Sequence, residues 1–158
     1  MSVLYVTNLA SRKHHGPGKR YTIMAAPRSF EHGDGCVNDL APMPADVRAV
    51  KDGYLSLRAY RDKYIELAGQ MPLWPEGLVA TPTDAEDRDS GDEVSVAHGD
   101  TLFCSCAVDA AREGRCHRVW AAELLRRAGW AVILDGCRLT GVTADWKPVL
   151  EEPKGSLL

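Results

Sequence analysis

The chain has 158 residues and a mass of 17.3 kDa, enough for one domain with its own core. With 45% hydrophobic and 26% charged residues and a formal charge of -3, it is neither a disordered chain nor one whose bulk charge would drive association with nucleic acid or an anionic membrane. No apolar run approaches the roughly 20 residues of a membrane span. Its five cysteines, an odd count in a chain able to fold unaided, point to free thiols, a metal site or a catalytic thiol before a disulfide framework.

The first element is a strand over 2–9, "SVLYVTNL", rich in β-branched and aromatic residues. The start of the chain, "MSVLYVTNLASRKHHG", shows no charged leader before its short apolar run, so a cytoplasmic protein is expected. A basic loop follows, "SRKHHGPGKR", gathering Arg12, Lys13, Lys19 and Arg20 around turn-forming glycines and a proline. A second strand is expected over 21–26, "YTIMAA", which would put Arg28 just beyond its carboxyl end. Gly, Pro, Asn and Asp crowd "EHGDGCVNDLAPMPADV" and predict a loop through residue 50. In "LSLRAYRDKYIELAGQ", 55–70, Leu57, Tyr60, Tyr64 and Leu67 make a helical stripe. The segment 82–99 reads as a flexible acidic loop, since "TDAEDRDSGDE" sets six carboxylates around one arginine.

The run "TLFCSCAV", 101–108, bounded by Gly99 and Asp100, suits a buried strand. On a helical wheel Trp120, Ala121, Leu124, Leu125 and Ala128 share an apolar arc, with Arg118, Glu123, Arg126 and Arg127 opposite and Gly129 as the stop. "WAVILDG" supplies the next strand, and the tail after it reads as an irregular or short-helical wrap. A strand-helix-strand unit implies parallel strands. The expectation is a single α/β domain over 1–158, with a mostly parallel sheet flanked by helices in a Rossmann-like three-layer arrangement.

Ligands of such sheets bind beyond the carboxyl ends of the strands, which focuses attention on 106–118. Three chemistries are open there. A zinc set of Cys104, Cys106, Cys116 and His117 is the weaker metal alternative, because C-x-C on a strand plus an adjacent Cys-His pair departs from the usual C-x2-4-C spacing; no cofactor is otherwise expected. A reactive thiol could be Cys106, whose C-x5-R spacing to Arg112 is that of a phosphate-gripping loop without its glycines. It could equally be Cys116, at a helix start beside His117 and Arg118. Third, the helix start with Arg115 and Arg118, joined by Lys19, Arg20 and Arg28 from neighbouring loops, would hold an anionic ligand.

The combination of "LFCSC", "GRCHR" and "VWAAELLRRAGW" resembles a widespread family of small bacterial and phage α/β proteins whose domain carries no assigned function. Its members show a strand ending near Leu-Leu-Cys, then Cys-His-Arg opening a helix that runs into a strand, with a tyrosine-bearing helix upstream that Tyr60 and Tyr64 would represent. Cys104, Cys116, His117 and Arg118 carry the resemblance over about 35 residues. Ser105 and Cys106 depart from it, standing where many members have an acidic residue. The resemblance implies the fold and the place of the site more than a reaction.

The resulting expectation is an anionic, nucleotide-like or phosphate-bearing ligand. Arg118 and the helix start would hold it, His117 would be acid/base, Cys116 nucleophile or wall, and Cys104 and Cys106 walls. The competing class is a non-enzymatic module for protein or nucleic acid, using the basic 12–20 loop and the acidic 84–93 loop, with its cysteines in the core or on zinc. Substrate, reaction and oligomeric state do not follow from these residues.

Overall fold

The computed structural model describes residues 1–83, 92–106 and 108–152. Its centre is a block of parallel strands: β1 (Val3–Asn8), β2 (Arg20–Thr22), β3 (Gly35–Cys36), β6 (Thr101–Cys104) and β7 (Ala131–Leu134). They lie in the order β3-β2-β6-β1-β7, with Val6 beside both Leu102 and Leu134. Antiparallel strands extend both flanks. β4 (Val79–Pro82) and β5 (Val94–Ser95) continue one side, and β8 (Cys137–Val142) and β9 (Pro148–Glu151) the other.

Two sequence expectations change here. The sheet is mixed and not mostly parallel, because four of its eight described pairings are antiparallel. Nor does the tail wrap irregularly: it forms β8 and β9. The cause is a tight turn at Asp135 and Gly136, with φ of 49° and 88°, that joins Leu134 directly to its partner Cys137. Two positive-φ residues of Asp-Gly type are what a two-residue hairpin needs. The middle of the expected acidic loop, 84–91, lies outside the described residues; its borders pair as β4 and β5.

Helices gather over one face of the sheet. α4 (His117–Arg127) packs on β1, β7 and β8, and α2 (Leu57–Ala68) packs on α4. Tyr60 and Tyr64 of α2 meet the Trp120 ring at centroid distances of 5.2 and 5.7 Å, so the helical stripe seen in the sequence becomes the seam between the two helices. Being covered by sheet and α2 together, α4 is buried from His117 through Leu125, including Arg118 and Glu123, which the wheel placed on a polar side. Glu123 accepts hydrogen bonds from Arg126 and Arg127, which compensate its burial. Gly129, at φ 114°, ends the helix in a conformation unfavourable for other residues. On the other face of β1 and β6 lies the basic loop, not a helical layer: His15 stacks on Phe103 and the Gly16 amide donates to Thr101 Oγ1. The Rossmann-like three-layer expectation is therefore not met by this sheet.

Residues 44–51, expected as loop, form α1 (Pro44–Lys51). Pro44 sits in its first turn, where the missing N–H costs nothing. Five-residue α3 (Val108–Arg112) precedes α4.

Leu102 is fully buried at the centre of the parallel block. Leu102→Ala should lower unfolding free energy by about 2–5 kcal/mol in urea titrations. Val149→Ala, at a half-exposed site on the edge strand, should change it by less than about 0.5 kcal/mol.

Candidate functional site

All parallel strands end at one edge of the sheet, and their last residues build the site. β6 ends at Cys104, whose carbonyl accepts the Leu9 amide at 2.7 Å, so this sulfur is fixed by the sheet itself. The chain leaves the sheet through Ser105 and Cys106, turns through α3, and returns at Cys116, the residue capping α4 in an extended conformation. The return brings Cys116 Sγ to 3.5 Å from Cys104 Sγ. The sulfurs of Cys104, Cys106 and Cys116 all lie within 4.8 Å of one another.

Arg118, the second residue of α4, runs beneath this cluster with no exposed surface. Its Nη1 donates to Cys104 Sγ at 3.1 Å and to the Cys106 carbonyl at 2.7 Å, and lies 3.9 Å from Cys116 Sγ. Its Nη2 donates to Asp135 Oδ2 at 3.0 Å, and the other carboxylate oxygen accepts the Thr7 hydroxyl at 2.9 Å. One guanidinium thus links the ends of β6 and β7 and the start of α4, with β1 attached through Thr7. Burial works against its charge, but the Cys104 sulfur and the Asp135 carboxylate outweigh that and hold it more firmly protonated than an ordinary arginine.

The three thiols are not equivalent. Hydrogen bonding with Cys104 and then Cys116, helped by the charges of Arg118 and Lys51, pulls the half-buried Cys106 thiol well below the usual range. Hydrogen bonding with Cys104 and then Cys106, with burial, pushes the Cys116 thiol upward. Of these two, the half-buried Cys106 is therefore the more readily ionised. His117 is buried, and its Nε2 donates to the Ile23 carbonyl at 2.7 Å, since a carbonyl can only accept. Burial lowers its pKa, so the ring is neutral, with Nδ1 as its acceptor nitrogen.

Above the thiols lies a cavity of about 530 Å³, a size suited to a small molecule. The three cysteines, Ser105 and His117 form its sheet side. Met24, Pro42, Val47, Val50, Leu57 and Tyr60 give it an apolar wall, and Arg48, Lys51 and Arg115 bring positive charge to it. Among the described residues no carboxylate lines it.

The structure brings together Cys104, Cys106, Cys116, His117 and Arg115 around this cavity, with Arg118 under its floor. Arg118 reaches the sulfurs from below, engaged with Asp135, and not a ligand in the cavity. Lys19 and Arg20 lie at the opposite edge of the sheet: Arg20 opens β2 beside Thr101, the first residue of β6. A residue at the start of a parallel strand sits at the amino edge, away from the carboxyl ends where the candidate site lies. Arg28 is at the correct edge but outside the cavity lining, exposed near Glu31 and Phe30. Of the four residues of the expected zinc set, His117 stays outside the sulfur cluster.

Sequence reasoning missed Arg48, Lys51 and Asp135. Pro44 as a helix-start residue could have signalled α1, and Asp135-Gly136 between two apolar runs could have signalled the hairpin. No family model, curated protein or solved structure matches the chain. The geometry defines the class: a mixed α/β protein with a thiol cluster under a cation-bearing cavity at the carboxyl edge of its parallel strands.

Asp135→Ala should strand the Arg118 charge in the interior and cost about 3–5 kcal/mol in denaturant unfolding. The apolar double replacement Arg118→Met/Asp135→Leu should recover most of that loss. If the two variants are equally unstable, the pair is not the cause.

Proposed function

We propose that this protein binds a phosphate-bearing small molecule, nucleotide-like in size, in the cavity over the thiol cluster. One observation carries the reading: among the described residues, the cavity lining combines Arg48, Lys51 and Arg115 with no carboxylate. In a chain with more acidic than basic residues, such one-sided lining is a local arrangement and not a reflection of composition. Arg115 is shared with Glu113, whereas among the described residues no carboxylate within ion-pair distance engages Arg48 or Lys51.

The apolar wall with Tyr60 at its base would take the uncharged body of the ligand, and the cations its phosphate. Arginine suits this role because its planar fork can donate two parallel hydrogen bonds to phosphate oxygens. His117, neutral and held by the Ile23 carbonyl, would present Nδ1 as an acceptor toward a donor on the ligand. The other macromolecular readings gain less: the basic 12–20 loop lies against the sheet through His15 and Gly16, and among the described residues no helix is long and apolar enough to cross a membrane.

Calorimetric titration with nucleoside monophosphates, sugar phosphates and inorganic phosphate tests the proposal. At least one phosphate ester should bind more tightly than inorganic phosphate. Arg48→Ala and Lys51→Ala should each weaken it by about 3- to 10-fold, the value of one partly solvated charged hydrogen bond. Lys19→Ala, at the far edge, should leave it unchanged. Absence of heat or thermal shift with every compound at millimolar concentration would sink the proposal.

A further inference from the structure

We infer that Cys104, Cys106 and Cys116 hold a thiophilic divalent cation of the zinc type as three sulfur ligands, leaving a fourth position open to the cavity. This differs from the four-ligand set read in the sequence. His117 is outside the cluster and its Nε2 is committed to Ile23, so the site has three protein ligands and is not closed. Three protein ligands with one open position is the arrangement of reactive zinc centres, as opposed to structural ones.

The sulfur geometry suits such an ion. Zinc-sulfur bonds of about 2.3 Å in a tetrahedron place sulfurs about 3.8 Å apart. Here one pair is at 3.5 Å and none exceeds 4.8 Å, so side-chain adjustments of a fraction of an ångström complete the set. Cys104 and Cys116 come from two rigid supports, the end of β6 and the cap of α4, and Cys106 follows β6 by two residues in the loop, so two of the three ligands are already in place before binding. Arg118 Nη1, donating to one sulfur and lying near another, supplies the outer hydrogen bonding that steadies ligand atoms in metal sites. All three cysteines line the cavity, which fixes the direction of the vacant coordination position.

Charge follows the same logic. Each sulfur binds as a thiolate, and any thiol still protonated gives its proton to solvent as its metal-sulfur bond forms. Three thiolates around a dication leave one excess negative charge, and Arg48, Lys51 and Arg115 face it across the cavity. The inference rests on the phosphate-ligand reading only for what occupies the fourth position; the three-sulfur site stands without it.

The test is titration of the reduced, chelator-treated full-length protein with cobalt(II) alone. Sulfur-to-cobalt charge-transfer absorption in the near ultraviolet and strong tetrahedral visible bands should saturate at one equivalent and vanish on adding zinc. Cys36→Ser/Cys137→Ser should keep both bands, whereas Cys106→Ser, in the half-buried thiol, should lose or weaken the charge-transfer band at one equivalent. Because a serine variant can perturb the fold, alkylation of the unaltered protein gives a second measure: zinc should protect the half-buried Cys106, and all three cluster thiols on prolonged labelling, but neither Cys36 nor Cys137. Lack of a charge-transfer band, or protection of none of the three, overturns the metal site. Phosphate-ester binding measured in chelator addresses the cavity reading separately, so either proposal can fail while the other stands.

Discussion

A single buried guanidinium organises the functional edge of this protein. Arg118 cannot be solvated where it sits, so its charge must be met by protein groups, and those groups lie on different elements: the Asp135 carboxylate after β7, the Cys104 sulfur at the end of β6 and the Cys106 carbonyl in the loop beyond. Asp135 in turn takes the Thr7 hydroxyl of β1. A buried ion pair contributes little net stability compared with apolar packing. What it supplies here is position, because its hydrogen bonds are directional and only one relative placement of strand ends and helix start satisfies them all.

That placement explains why three chemically identical side chains acquire different roles. Cys104 is anchored by the sheet and faces the guanidinium. Cys116 is buried at the helix cap, where proton loss is disfavoured. Cys106 stands past the strand end, half-buried, lines the cavity and loses its proton more readily than Cys116. A cluster graded in this way can bind a soft cation or present one ionised sulfur, and either behaviour is directed toward the same opening.

The parts of the fold legible in the sequence were those fixed by local pattern. β1, β6 and β7 follow from runs of β-branched and apolar residues, and α4 from its 3.6-residue stripe and the Gly129 stop. The location of the thiols at the strand ends was legible for the same reason. Sheet direction on the flanks was hidden because it turns on two residues, Asp135 and Gly136, which look like the end of a strand until their hairpin is recognised. Arg118 looked solvent-facing because a wheel assumes one covered side, while α4 is covered by both the sheet and α2. Its partner Asp135 is 17 residues away along the chain, and no local pattern connects them. Arg48 and Lys51 were lost with α1, since the prolines that begin this helix also fit a loop.

The floor and rim of the cavity differ in how they are held. Cys104 and Cys116 are buried at the end of β6 and the cap of α4, while Arg48 and Lys51 ride on α1, a helix of eight residues with none fully buried and Lys63 of α2 paired to its Asp46 at the surface. Segments of that kind open at low free-energy cost without involving the rest of the domain. With none of its residues fully buried, α1 would exchange its amide hydrogens faster than α4. Occupancy of the cavity would slow that exchange, since a ligand bridging Arg48 and Lys51 to the floor binds only when α1 is in place.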